Sequence, residues 1–181
     1  MQPKTIVITG PESTGKTTLA GQLAAHFKTV WVPEFARSYI SGLDRQYIEN
    51  DLLEIAKGQL LQENKMKEKA GGVLFLDTSL EVLKIWSGYK YGRCHPFILD
   101  QLKAQKHRLY LLCEPDIKWE KDPQRENPDD RQKLFELYVQ ELTQQNTNFV
   151  KISGIGNTRF KNALHYVRQY LSIHAKTDAA Q

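Results

Sequence analysis

Eight residues near the N-terminus, Gly10-Pro11-Glu12-Ser13-Thr14-Gly15-Lys16-Thr17, match the pattern G-x-x-x-x-G-K-[ST] at every fixed position. Glycine at the first and sixth places lets backbone N–H groups curl around a phosphate with no Cβ in the way. A helix opening at about Gly15 would point its positive end at the same anion. Lys16 would reach the β- and γ-phosphates, and the Thr17 hydroxyl would ligate Mg²⁺. Glu12, Ser13, Thr14 and Thr18 complete the stretch expected to contact ATP. A Gly-rich turn with an incidental lysine would need no particular context. Here an apolar run, Thr5 to Thr9, leads in, and Leu19, Leu23 and Phe27 follow at helical spacing. The expected ligands are ATP and Mg²⁺.

Carboxylates and guanidinium groups stand where other strands should end, and in an open α/β sheet ligands gather at the carboxyl ends of strands. Asp77 closes the apolar run Val73 to Leu76, the place of the carboxylate that holds Mg²⁺ directly or through water. The alternative is a strand-end Asp that caps the next helix. The following residue is Thr78, so the Asp-Glu pair that activates water is absent, which favours transfer to a bound acceptor over hydrolysis. Glu34 follows a second apolar run and could accept a proton from an acceptor hydroxyl, or simply pair with Arg37 on the surface. Arg37 could neutralise phosphate or anchor a ribose. Lys118 to Arg131 holds nine charged residues in fourteen, and two prolines. It reads as a surface loop or a lid, in which Arg125 and Arg131 would close on the transferring phosphoryl group.

Aromatic residues cluster in sequence near these positions. Trp31 and Phe35 can be core. Trp86-Ser87-Gly88-Tyr89-Lys90-Tyr91-Gly92 interleaves rings with polar residues and glycine, and Trp86 and Tyr89 would suit a flat, cationic heteroaromatic ring. Cys94 and His95 lack partners at zinc spacing, and Cys113 reads as packing.

The elements that must position these groups alternate. Strands are expected at Thr5–Thr9, Thr29–Val32, Val73–Asp77, Arg108–Cys113 and Asn148–Ile152. Their near-continuous apolar character suits a parallel sheet covered on both faces. Helices are expected at Lys16–Phe27, from Asp51 (with Glu54 as a capping signal) towards Lys69, at Ser79–Trp86, Pro96–Lys106 and Asp129–Leu142, and over Phe160–Leu171. The pattern predicts one α/β domain over residues 1–175, with residues 118–131 as the lid and 176–181 as a frayed tail.

Composition narrows the class. The chain has 181 residues, 40% hydrophobic and 25% charged, with 11 Gly and 7 Pro, which excludes disordered and collagen-like sequences. No apolar run approaches the ~20 residues of a membrane helix. Two cysteines are too few for a disulfide scaffold, and the N-terminal residues show no signal-peptide core, so a cytoplasmic location is expected. The net charge is +4, and no Asp or Glu occurs from Thr147 to Lys176. That basic segment reads as a solvated helix face or as help for a polyanionic ligand. Nucleic acid is the less favoured partner, because no recognised nucleic-acid-binding motif is present.

Six blocks together carry a resemblance: Gly10 to Thr18, Trp31-Val32-Pro33-Glu34-Phe35-Ala36-Arg37, Ala56-Lys57-Gly58-Gln59, Phe75-Leu76-Asp77-Thr78, Lys84-Ile85-Trp86-Ser87, and Arg125 to Arg131. They resemble the ribosylnicotinamide kinase domain of the NAD-biosynthesis regulator proteins, from Thr5 to about Tyr170. The resemblance implies a P-loop NTPase fold of the nucleoside and nucleotide kinase type, with a mainly parallel five-stranded sheet in the order 2-3-1-4-5. It implies phosphorylation of nicotinamide riboside by ATP to nicotinamide mononucleotide. By the same resemblance, Glu34 or Asp77 would meet the ribose 5′-hydroxyl and Trp86 would lie near the nicotinamide. Multidomain members also carry an adenylyltransferase domain marked by His-x-Gly-His. That signature is absent from this sequence, so only the kinase step carries over. The alternatives to a nicotinamide riboside kinase are a kinase of another nucleoside or an ATP-binding regulatory module whose basic C-terminal helix contacts nucleic acid.

Overall fold

A computed structural model describes residues 2–105, 107–122, 124–125 and 129–178, with side chains as far as residue 173. Five parallel strands, β1 (Lys4–Thr9), β2 (Trp31–Val32), β3 (Val73–Asp77), β4 (Leu109–Cys113) and β5 (Asn148–Ile152), pair in the order β2-β3-β1-β4-β5. The helices are α1 (Lys16–His26), α2 (Phe35–Ser41), α3 (Glu49–Lys67), α4 (Leu80–Tyr91), α5 (Pro96–Ala104), α6 (Arg131–Gln144) and α7 (Asn157–Asp178).

Successive strand residues point to opposite faces, so an apolar strand must be covered twice. Ile6, Ile8, Phe75 and Leu111 pack against Leu19 and Leu23 of α1 and Ala163 and Val167 of α7. Their neighbours Val7, Leu76, Tyr110 and Leu112 pack against Val82 of α4 and Phe135 and Tyr138 of α6. A third cluster joins α2, α3, α4 and α5 through Ala36, Leu52, Ile55, Leu83 and Ile98.

Several element bounds differ from expectation; β2 begins only at Trp31 and α5 ends at Ala104. α4 continues through Trp86-Ser87-Gly88-Tyr89 and stops only at Gly92, whose φ of 69° lets its N–H reach back to the Gly88 carbonyl. The expected mixed aromatic stretch is therefore helical. α3 starts at Glu49, two residues early, because Asp51 reaches back to accept from the Ile48 N–H at 2.7 Å. α7 extends in backbone to Asp178, past the expected start of fraying at Lys176, while residues 179–181 lie outside the described residues. Of the expected lid, Pro123 and residues 126–128 also lie outside them.

Helix α2 has no clear sequence signal, and α3 explains its position. The Phe35 N–H donates to Gln59 Oε1 at 2.9 Å. The Phe35 ring lies so close to Gly58 that a Cβ there would stand 2.1 Å from a ring carbon. The Gly58-Gln59 pair thus seats the residue that follows Glu34.

One buried acid has a consequence for stability. Glu81, in the first turn of α4, is fully buried. Burial pushes its carboxyl from 4.5 up to about 7, and its own backbone, Thr9 and the Arg108 charge pull the other way without cancelling that. Between those pH values the unfolded chain releases the proton and the native chain keeps it. Stability therefore falls as pH rises from 4.5 to about 7 and levels off above, by about 3 kcal/mol from this group. Urea unfolding at pH 5 and pH 8 should show a smaller pH loss for Glu81→Gln than for the wild type. An equal loss in both would show that Glu81 ionises freely.

Candidate active site

The phosphate-type loop connects β1 to α1. Its first glycine, Gly10, has φ 132° and packs so tightly on the end of β4 that a Cβ would stand 2.6 Å from the Cys113 carbonyl oxygen. Ser13 and Gly15 also take positive φ, 54° and 75°, which bends the loop around its own centre. Thr14 Oγ1 and Lys16 Nζ both donate to the Pro11 carbonyl, at 2.9 and 2.7 Å. The Lys16 ammonium is thereby held across the mouth of the loop.

Strand order brings the predicted acids to this loop. β3 lies between β2 and β1, with Asp77 in register with Ile8. Thr17 Oγ1 donates to Asp77 Oδ2 at 2.6 Å. Asp77 Oδ1 is buried with no hydrogen-bond partner among the described residues. A carboxylate oxygen left over beside a hydroxyl is the hard oxygen chemistry that Mg²⁺ prefers, so Thr17 and Asp77 fit that ion. Among the described residues there is no His, Cys, Asp and Glu cluster of three that could hold a metal by itself, as expected where phosphate and water supply the remaining ligands. Burial raises the Asp77 carboxyl above its ordinary value, against the pull of Lys16 and of the Thr17 hydrogen bond.

Glu34 is the residue before α2, half-buried and facing Lys16. Burial is the main cause of its raised pKa; Lys16 pulls it down, Asp77 pushes it up, and Arg37 and Glu12 oppose each other more weakly. Glu34 has no salt bridge to Arg37 among the described residues. Arg37 pairs instead with Asp122 at 2.9 Å, so the surface-pair reading of Glu34 is not the one observed.

The described residues of segment 118–131 bond to both sides of this site. The Glu120 N–H and Arg125 Nη1 donate to Ser13 Oγ at 3.1 and 3.3 Å. Arg131 Nη1 donates to the Ile117 carbonyl at 2.8 Å and to the Ser13 carbonyl at 3.3 Å. Gln124 Nε2 reaches Ser41 Oγ of α2 at 2.7 Å. The segment therefore joins the phosphate loop to α2, over the space between them.

Two hollows meet here. One lies along the start of α1 and is lined by Gly15, Thr18, Gln22 and Ile117. The other lies towards α4 and α6 and is lined by Glu12, Thr78, Trp86 and Tyr138. Lys16, Glu34, Arg37 and Arg125 line both. The two hollows thus share a border of one ammonium, two guanidinium groups and one carboxylate.

Several predicted residues line a hollow other than the one expected, as Gly10 and Glu12 do, or neither, as with Thr14, Asp77, Tyr89 and Arg131. Tyr89 is on the outer face of α4, 41% exposed, with its hydroxyl donating to Asp130 at 2.9 Å, and it lines neither hollow. Trp86 and Tyr89 stand three residues apart on α4 and are neighbours on its surface, and only Trp86 reaches the edge of the hollow. Glu12, expected on the ATP side, lines the hollow with Trp86. Trp86 is half-buried there, stacked on Tyr47 at 6.2 Å between centroids. Tyr138 was not singled out by sequence, since its helical stripe reads as core, and it is also core. Arg159 was seen only as part of the basic segment, but it is 3% exposed and lines the α1 hollow.

Comparisons with known proteins show the family and the fold. A family model described as an AAA domain matches residues 5–159. The trifunctional NAD biosynthesis/regulator protein NadR of Escherichia coli (strain K12) is 28% identical over 177 residues, covering 93% of this chain and 43% of that protein. The chain thus spans less than half the length of the curated relatives it matches. The solved structure of NadR protein in complex with NR superposes with a TM-score of 0.77 at 23% identity, over 94% of this chain and 52% of that one. NadR in complex with NAD and AMP-PNP gives 0.75 at 22%, over 93% and 50%. Thymidylate kinase from Ehrlichia chaffeensis gives 0.65 at 13%, over 93% and 98%. The sheet order 2-3-1-4-5 and its helices are the fold of these P-loop nucleoside and nucleotide kinases.

Proposed function

The chain belongs to the AAA-domain family of P-loop proteins, and from that premise we propose that it is an ATP-dependent kinase that phosphorylates the 5′-hydroxyl of nicotinamide riboside, giving nicotinamide mononucleotide and ADP. The observation that carries the reading is the shared border of the two hollows. Lys16, Glu34, Arg37 and Arg125 stand where the end of a triphosphate and an acceptor hydroxyl would meet.

The chemistry follows from these groups. Glu34 accepts the proton of the 5′-hydroxyl as that oxygen bonds to the γ-phosphorus, and the bond from the γ-phosphorus to the β,γ-bridging oxygen breaks to release ADP. A carboxyl held above its ordinary pKa is a better proton acceptor than a free one. Lys16 and Arg125 stabilise the charge spread over the transferring group, and Arg125, as part of the lid, excludes water. Thr17 and Asp77 would hold Mg²⁺, which neutralises charge on the β- and γ-phosphates when bound. Phe35 anchors Glu34 through Gly58 and Gln59, so the Ala56-Lys57-Gly58-Gln59 block serves the proton acceptor from a distance.

The acceptor assignment rests on Trp86, on the acidic residues Glu12 and Glu34 in the same hollow, and on the likeness to NadR proteins, one of which was solved with NR. A pyridinium ring is flat and positively charged, and a desolvated cation over indole gains ~2 kcal/mol or more. A neutral base keeps the stacking and loses the charge contribution. The test is kcat/KM for nicotinamide riboside and for uridine, in wild type and Trp86→Leu. The expected result is a loss of about 10–30-fold confined to nicotinamide riboside. Equal losses for both would reduce Trp86 to packing on Tyr47. A wild type that turns over another nucleoside and not nicotinamide riboside would leave the kinase and remove the acceptor.

A further inference from the structure

Arg159 stands in the first turn of α7, outside every block that pointed to the reaction, yet it is 3% exposed and its guanidinium forks onto the phosphate loop. Its Nε donates to the Gly154 carbonyl at 2.6 Å and its Nη1 to the Thr14 carbonyl. Its Nη2 donates to the Glu114 carbonyl at 3.0 Å and also pairs with the Asp116 carboxylate. Asp116 in turn accepts from the Gly154 N–H at 2.6 Å. One guanidinium therefore ties together the loop after β1 and the chain exits of β4 and β5. Such a fork needs donors in several fixed directions, which an ammonium on a flexible stem does not supply.

The bond to Thr14 has a geometric consequence. In a planar trans peptide the C=O and the next N–H point in opposite directions. A Thr14 carbonyl held by Arg159 therefore turns the Gly15 N–H the opposite way, away from the guanidinium. Gly15 lines the hollow along α1, and its φ of 75° is part of the same turn. The guanidinium is engaged by protein oxygens and so acts through this peptide plane.

We propose that Arg159 is a positioning residue for the nucleotide: it locks the Thr14–Gly15 peptide so that the Gly15 N–H is preset for a phosphate oxygen. The proposal rests on the reading that the loop binds ATP, and the two can fail separately. ADP titrated into the wild-type protein should bind, and the Gly15 amide resonance in a ¹H–¹⁵N spectrum should shift as it does. No ADP binding by the wild type would remove the nucleotide reading and this proposal with it. Binding without a shift at Gly15 would overturn the proposal alone, whether or not any variant folds. Arg159→Lys keeps the charge and loses the fork. It should bind ADP about 10–100-fold more weakly, the worth of a charged hydrogen bond, and its Gly15 amide should no longer respond. An Arg159→Lys protein with wild-type ADP affinity and the same Gly15 shift would overturn the proposal.

Discussion

Lys16→Ala should lose about 10²–10³ in kcat, the typical effect of removing one preorganised charge from a transferring group. Its melting temperature should stay near that of the wild type. Lys16 is the first residue of α1 and, among the described residues, makes one side-chain hydrogen bond, to the Pro11 carbonyl, so its removal leaves the core intact. Its ammonium is also the main charge that opposes the upward push of burial on both Glu34 and Asp77. Without it both carboxyls should titrate higher, and the acidic limb of the pH–kcat profile should move to higher pH in the residual activity. The measurements are steady-state kinetics across pH and thermal unfolding of both proteins. A variant with near-wild-type kcat would remove Lys16 from the reaction, and one that loses its fold would make the kinetic comparison meaningless.

Glu34→Gln and Asp77→Asn should fail in different ways, although their carboxyls perturb each other. Glu34→Gln should lower kcat by about 10²–10⁴, the range for a lost general base, with little change in the Mg²⁺ concentration that gives half-maximal rate. Asp77→Asn should raise that Mg²⁺ concentration, because the amide replaces an anionic oxygen beside Thr17. Burial lifts both pKa values, so wild-type kcat/KM should fall as pH drops towards a value above the ordinary carboxylate range, where Glu34 takes up its proton. Loss of that limb in Glu34→Gln would identify the group. Identical Mg²⁺ dependence in the two variants would mean that the metal and base roles are not divided in this way.

Local chemistry made much of the site legible. The phosphate loop could be read because its glycines, lysine and threonine are contiguous and each answers a local need. The strands could be read because a sheet buried on both faces needs apolar runs, and Val73–Asp77 and Asn148–Ile152 match the structure end to end. Helix α2 was invisible because it has few turns and owes its place to Gly58 and Gln59, more than twenty residues away. The run from Trp86 to Gly92 interleaves rings with polar residues and glycine, and yet it is helical as far as Tyr91. A helix packed on its apolar side tolerates one such glycine, at a cost of ~1 kcal/mol, and stops where a left-handed residue is available, at Gly92.

The sequence by itself determined that this chain has a phosphate-binding loop between a buried strand and an amphipathic helix, with acids and arginines at other strand ends. Those are statements about spacing along the chain, and spacing is what periodicity and motif chemistry register. Tertiary structure alone decided which of these groups meet. Pairing β3 between β2 and β1 set Asp77 against Thr17 and brought Glu34 to Lys16, across 60 residues in the first case. Packing α4 against the sheet turned Trp86 inward and Tyr89 outward. Bringing the exits of β4 and β5 beside the phosphate loop buried Arg159, which composition had read only as part of a solvated helix face or as help for a polyanionic ligand. Such pairings depend on covering both faces of one sheet at once, and no window of the sequence contains that condition.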